Sequence, residues 1–147
     1  VYALAERNIP VVVHIILGLP GESRETVLRT IDYLNRLPIQ GVKLQLLHVL
    51  SDSDLADLYR AGEYTPLEKE EYLTLVGDCI AHLRADIVLH RLTGDGDKNT
   101  LLAPLWSLRK RDVLNHLHRY LKENHIRQGM SCKIDLSVIY NKPKDVL

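Results

Sequence analysis

An α/β fold with parallel strands is what this sequence predicts, and three observations predict it. Apolar runs rich in Val, Ile and Leu recur at Ile9 to Gly18, Val42 to Leu50 and Ile87 to Leu92. The segments between them carry apolar residues at helical spacing, as in Val27, Leu28, Ile31, Leu34 and Leu37. Strands that alternate with helices pair in parallel through right-handed crossovers. The 147 residues, 46% apolar and 26% charged with a formal net charge of zero, suffice for one domain of ordinary composition.

Each element follows from its residues. The chain opens on VYALAERN, which reads as the end of a helix and, with no initiator Met, suggests a piece of a longer protein. Ile9 to Gly18 is nearly continuous in apolar residues, the pattern of a strand covered on both faces. Arg24 to Leu37 is a helix that Pro38 stops. Val42 to Leu50 is a second buried strand, with Lys43 and Gln45 on one face and Leu44, Leu46 and His48 on the other. Ser51 to Arg60 reads as a short helix ending at Gly62. Thr65, Pro66 and Glu68 give a helix start with Thr65 as cap and Glu68 reaching back. That helix runs to about Leu83, with Tyr72, Val76, Cys79, Ile80 and Leu83 on its apolar stripe. Ile87 to Leu92 is the third strand, TGDGDKNTLLAPLW a loop, and Leu108 to Asn124 the last helix. KIDLSVIY reads as an edge strand or as no regular element, and NKPKDVL as a frayed end.

Several function classes lose ground on composition alone. A balanced charge gives no global field toward nucleic acid or an acidic surface. No apolar run of about 18 residues is present, so no membrane partner is expected. Cys79 and Cys132 lie too far apart for a metal-ligand motif and suit free thiols in a reducing cytoplasm. Asp95, Asp97 and Asn99 imitate the first ligands of a calcium loop. Thr100 stands in place of its glycine and Trp106 in place of its closing glutamate, so a solvated turn is expected. No metal ligand is assigned to this chain.

The stretch LGLPGES, residues 17–23, sits where the first strand turns into a helix. In parallel sheets, ligands bind at the C-terminal ends of the strands. Glycines there let backbone approach a ligand, and the following N–H groups favour negative charge. The stretch is neither a P-loop nor G-x-G-x-x-G. A plain turn with a helix cap at Glu22 or Ser23 remains the competing reading.

Strand–GLPGES–helix resembles the fifth strand of the radical S-adenosylmethionine barrel, as in anaerobic coproporphyrinogen oxidase and Elongator-like enzymes. The segments LQLLHVLSDSDLADLYRAGEY, LEKEEYLTLVGDCIAHL, LHRLTGD and LLAPLW are similar to the bacterial YhcC/YtqA-type group. The resemblance covers about Val11 to Gly129 and implies the C-terminal portion of a partial (βα)6 TIM-like barrel with a helical extension. The division it implies is 1–92 for the barrel part, 93–129 for the extension with its basic helix, and 130–147 for an unassigned tail.

The resemblance also implies a cofactor site. Ile16, Gly18, Leu19, Pro20 and Gly21 match the motif that binds S-adenosylmethionine through backbone and apolar contacts to adenine. His14 shares the period-two face of Ile16 and Gly18; it is either a lumen residue or a core histidine bonded to a neighbouring strand. Gln45 and His48 are further cofactor candidates, and Lys43, His90, Arg91 and Asp95 are substrate candidates. Arg91 pairs either with an anionic substrate group or with a nearby carboxylate. SDSDL departs from a family pattern closer to K-G-T-x-L. A [4Fe-4S] cluster is expected in the full-length parent but not here, since a cluster needs three thiolates. This chain is therefore expected to lack catalysis by itself and to partner the missing N-terminal half. The basic residues from Arg109 to Arg127, and the family's link to the wobble uridine, suggest tRNA as substrate. The competing class is an α/β binding module that keeps the scaffold without the chemistry. A sheet edge left open would pair copies of the chain.

Overall fold

The first strand, β1, is Val12–Leu17, shorter than the apolar run that contains it. Pro10 has no N–H to give a ladder, and Val11 instead receives Gln40 and Gly41 N–H groups at 3.0 and 3.2 Å as a lead-in. The computed structural model describes residues 1–94 and 96–134. A short helix, α1 (Tyr2–Ala5), precedes β1.

Ser23 starts the next helix, α2 (Arg24–Leu34), its Oγ accepting the Thr26 N–H at 3.2 Å. Val27, Leu28, Ile31 and Leu34 are buried, as their spacing predicts. The helix stops three residues before the predicted Leu37. Pro38 biases its predecessor away from helix, and Leu37 is buried from the turn that follows.

β2 is Gly41–Leu46 and pairs in parallel with β1, Val12 opposite Gly41 through Leu17 opposite Leu46. It ends earlier than the predicted Leu50. Val49–Leu50 turn off as β3 into a second sheet, antiparallel to β5 (Leu101–Ala103). This small sheet and its own core of Val49, Ala56, Tyr64 and Ala103 were not foreseen from LLAPLW, which reads as loop. A strand of three residues is below what periodicity resolves, and only its partner holds it.

α3 is Asp54–Arg60, closed at Gly62 as expected. α4 is Lys69–His82, and its capping box is formed by Glu68 and Glu71 rather than by Thr65 and Glu68. Thr65 to Leu67 are held outside the helix by tertiary contacts: Leu67 O accepts the Trp106 Nε1–H at 3.2 Å. The predicted stripe of α4 is buried throughout. β4, Val88–Arg91, pairs in parallel with β2, giving the order β1-β2-β4. A single 3-10 turn, Leu105–Leu108, leads into α5, Lys110–Glu123.

Val13, Ile15, Leu17, Val42, Leu44, Leu46 and Leu89 pack beneath α2 and α4 in one core. The other side of the sheet is open. Val12 and Ile16 are 36% and 42% exposed, so β1 is covered on one face rather than both. Arg84 closes the far end of the core, 1% exposed, donating to Asn35, Leu37 and Ile39 carbonyls at 2.8, 3.3 and 3.3 Å. Asp86 pairs with it at 2.9 Å. The expected edge strand KIDLSVIY falls almost wholly on 135–147, outside the described residues.

Candidate functional site at the strand C-terminal ends

The open face of the sheet carries most of the predicted residues. The register puts His14 beside Lys43 and Ile16 beside Gln45. Leu44 and Leu46 are buried on the opposite side. The Lys43 and Gln45 face of β2 therefore accompanies His14. On the third strand, Lys43 is opposite Arg91 across a bulge. A Cβ on Gly41 would fall 2.5 Å from the His90 ring, so the absence of a side chain at Gly41 makes room for that imidazole. His14 is exposed and has no hydrogen bond to a neighbouring strand among the described residues, so it is not a core histidine.

The turn at the end of β1 is built from both glycines, Gly18 at φ 90° and Gly21 at φ 71°, conformations that side chains rarely adopt. Its first backbone donors are already engaged. The Glu22 carboxylate accepts the Gly18 and Leu19 N–H groups at 2.9 and 3.2 Å. The anion expected at this turn is thus supplied by the chain itself, and Ser23 caps the helix behind it. Leu19, by contrast, is 44% exposed, and Ile16 at the end of β1 is 42% exposed. The turn offers apolar Leu19 outward, while its charge, Glu22, lines the groove on the helical side.

Tyr64 and Trp106 brace this turn. The Tyr64 hydroxyl donates to Gly18 O at 2.7 Å, and Leu67 lies where a Gly18 Cβ would come within 3.1 Å. Burial pushes the Tyr64 phenol upward, and the nearby Glu22 adds to the shift. Trp106 holds Leu67 from behind and stacks at 44° on Tyr72, ring centroids 5.6 Å apart. Tyr64 escapes a reading of the sequence because it lies in a loop with no periodicity to mark it.

His48 stands apart from the other cofactor candidates. Past the end of β2, it meets Ser107 Oγ at 3.1 Å, and a Cβ on Gly94 or Gly96 would press into its ring. Asp95 lies outside the described residues. On the helical side of the Gly18 turn, a groove of about 450 Å³ is walled by Glu22, Glu70, Glu71 and the Arg24–Asp78 pair. It is acidic where the open face is cationic.

Residues 39–123 match the family described as the Radical_SAM C-terminal domain. This chain belongs to that family. Among curated proteins it is 33% identical to the uncharacterized protein YtqA of Bacillus subtilis over 126 residues, which is 86% of this chain and 39% of YtqA. It is equally identical to protein YhcC of Escherichia coli K12 over 122 residues, 83% of this chain and 40% of YhcC. It is a radical-SAM C-terminal part of the YhcC/YtqA type, and it spans about two fifths of the length of those relatives. Its fold is that of the archaeal Methanocaldococcus infernus Elp3, with a TM-score of 0.70 at 17% identity, over 85% of this chain and 29% of that one.

The family implies S-adenosylmethionine and an iron–sulfur cluster in full-length members. The residues here fit the first and not the second. Ile16 and Leu19 present apolar surface beside the polar Gln45, a combination that suits a nucleobase. For a cluster, Cys79 is buried in α4, where burial pushes its thiol up to about 12, the opposite of a ligand thiolate. Cys132 Sγ lies 3.6 Å from Asn35 Nδ2, and no group of three His, Cys, Asp or Glu gathers among the described residues.

Proposed function

We propose that this chain supplies the adenine side of the S-adenosylmethionine site in a radical-SAM enzyme. The observation that carries the reading is the pair Ile16 and Leu19, both exposed at the C-terminal end of a parallel strand and flanked by Gln45. Apolar area open at that position, where ligands of parallel sheets collect, is area that a flat nucleobase would bury favourably. Ile16 and Leu19 would lie against the base, Gln45 would meet its hydrogen-bonding edge, and Tyr64 with Glu22 would hold the Gly18 turn in place. With a reduced cluster from the rest of the protein, the bound cofactor supplies a 5′-deoxyadenosyl radical that abstracts hydrogen from substrate. The chain's own part is to bind and orient; by itself it lacks the cluster ligands.

The deciding experiment is on the full-length protein, produced anaerobically and reconstituted with iron and sulfide. Four-iron absorbance and S-adenosylmethionine cleavage to 5′-deoxyadenosine are expected. Ile16→Asp is expected to weaken cofactor affinity by about tenfold or more through a desolvated charge against the base. Unchanged affinity in that variant would sink the assignment of this face. A parent with neither cluster nor cleavage would turn the reading to a binding module on a retained barrel.

The partners follow from the same face. The missing N-terminal half would add strands beside β1, whose outer edge pairs with no described strand. Without that half, the edge is expected to pair copies of the chain. Light scattering that returns a clean monomer at high concentration would argue against this. tRNA is the proposed macromolecular substrate, supported by the exposed Arg111, His118, Arg119 and Lys122 along one side of α5. At the N-terminal end of that helix, Lys98, Arg109, Lys110 and Arg111 line a groove of about 660 Å³. Neutralising Arg111, Arg119 and Lys122 together should flatten the salt dependence of tRNA binding. The cytoplasm is the proposed setting, supported by two free thiols. No helix among the described residues is long and apolar enough to cross a membrane.

A further inference from the structure

The three strands of the main sheet, Val12–Leu17, Gly41–Leu46 and Val88–Arg91, contain no Asp or Glu. They do contain a lysine, an arginine and two histidines, and the register gathers them. Lys43 is opposite His14 on one side and Arg91 on the other. Parallel strands lie about 4.8 Å apart, so three nitrogen-bearing side chains span roughly 10 Å across one row. His90, lying over Gly41, begins the row below it. None of the four makes an ion pair with a described residue. Arg84 and Lys69, the cations with 1% and 15% exposed side chains, each have a carboxylate within 4.0 Å, whereas half-buried Lys43 has none among the described residues.

We propose that the His14–Lys43–Arg91 row binds an anionic group, phosphate or carboxylate, carried by the substrate. The proposal rests on the cofactor reading above for its location, since Ile16 and Gln45 form the next row toward the strand ends. Lys43 is already half-buried with one side of the sheet open. Anything that covers the face removes water from the row, and a desolvated cation without a counter-charge carries a steep cost. Guanidinium offers two parallel donors to either oxyanion, and the ammonium adds a third. The row also differs from the basic side of α5. That side is an exposed helix surface, whereas this one lies on the face of a parallel sheet, near the strand ends where small ligands collect.

The test uses the full-length protein and inorganic phosphate as probe. Phosphate is titrated into wild type, into Lys43→Gln/Arg91→Gln, and into Arg29→Gln/Arg36→Gln, two exposed arginines on and just after α2, as the control, with binding read by phosphorus NMR. Loss of both row cations should weaken binding about tenfold or more, while the control keeps wild-type affinity. Arg91→Gln alone, on an exposed strand end, serves if the double variant does not fold. Equal losses in the row and control variants would overturn the proposal, as would no loss in the row variant. A lowered melting temperature with phosphate affinity unchanged would also overturn it, by assigning the counter-charge to a carboxylate elsewhere in the protein. S-adenosylmethionine affinity is measured on the same samples. Phosphate binding lost with cofactor binding intact separates the two sites. A wild type that takes phosphate but no cofactor would sink the adenine assignment and leave the anion row standing.

Discussion

The two faces of the β1-β2-β4 sheet are made by the same sixteen residues, counting six, six and four in the three strands, yet they behave as different materials. One face is Val13, Ile15, Leu17, Val42, Leu44 and Leu46 under two helices. The other mixes apolar and polar groups: Val12, His14 and Ile16 on β1, Lys43 and Gln45 on β2. The first face is sealed by burial and tolerates little change. The second has little local packing to lose, so its residues are free to be chosen for what binds there. Stability and function are thereby separated by one residue of period two.

The largest effect should come from the sealed face. Leu44, fully buried, is expected to cost about 2–5 kcal/mol as Leu44→Ala, measured by urea unfolding. At the end of the same core, Arg84→Met should cost about 3 kcal/mol, since three buried carbonyls and Asp86 lose their partner. A loss below about 1 kcal/mol in either would mean that the helices do not hold that face as described.

Alkaline pH probes the same core without mutation. Burial raises the Cys79 thiol from 9.0 to about 12, and burial likewise raises the Tyr72 phenol from 10.0. Both are neutral when folded, so the unfolded chain releases protons first. Stability is full below pH 9.0 and falls as pH rises toward about 12, by up to about 1.4 kcal/mol per pH unit for each group. Thermal melts at pH 8 and pH 10.5 should show the drop, and Cys79→Ala should reduce it; a flat profile would contradict the burial.

Tyr64→Phe should show a smaller effect at the seam between the faces. Loss of the 2.7 Å bond to Gly18 O is expected to cost about 1 kcal/mol and to loosen the turn beneath Leu19. Cofactor affinity in the full-length protein should fall with it. The smallest effect belongs to the open face: Ile16→Ser should change stability by about 0.5 kcal/mol or less while cofactor affinity falls. A stability loss like that of Leu44→Ala would mean that the open face is part of the core.

Most of the helices were legible because burial is written into them at a fixed spacing. Val27, Leu28, Ile31 and Leu34 in α2, and Tyr72, Val76, Cys79 and Ile80 in α4, are buried as the pattern requires. Their boundaries were less so. The start of α4 moved from Thr65 to Glu68 because Leu67 is claimed by Trp106, thirty-nine residues away in the chain. β3 and β5 escaped notice because strands of two and three residues have no period and exist through each other.

The sequence by itself determined the class of fold, the family and the turn that bends back at Gly18, because periodicity, motif and glycine placement are local properties. The tertiary structure decided which face of β2 joins His14, that Glu22 takes the Gly18 and Leu19 donors, and that Tyr64 holds the turn. It also brought Lys43 between His14 and Arg91, residues twenty-nine positions before it and forty-eight after. Parallel strands join distant segments through crossovers, so their register is fixed by packing across the whole core and is written in no single stretch of chain.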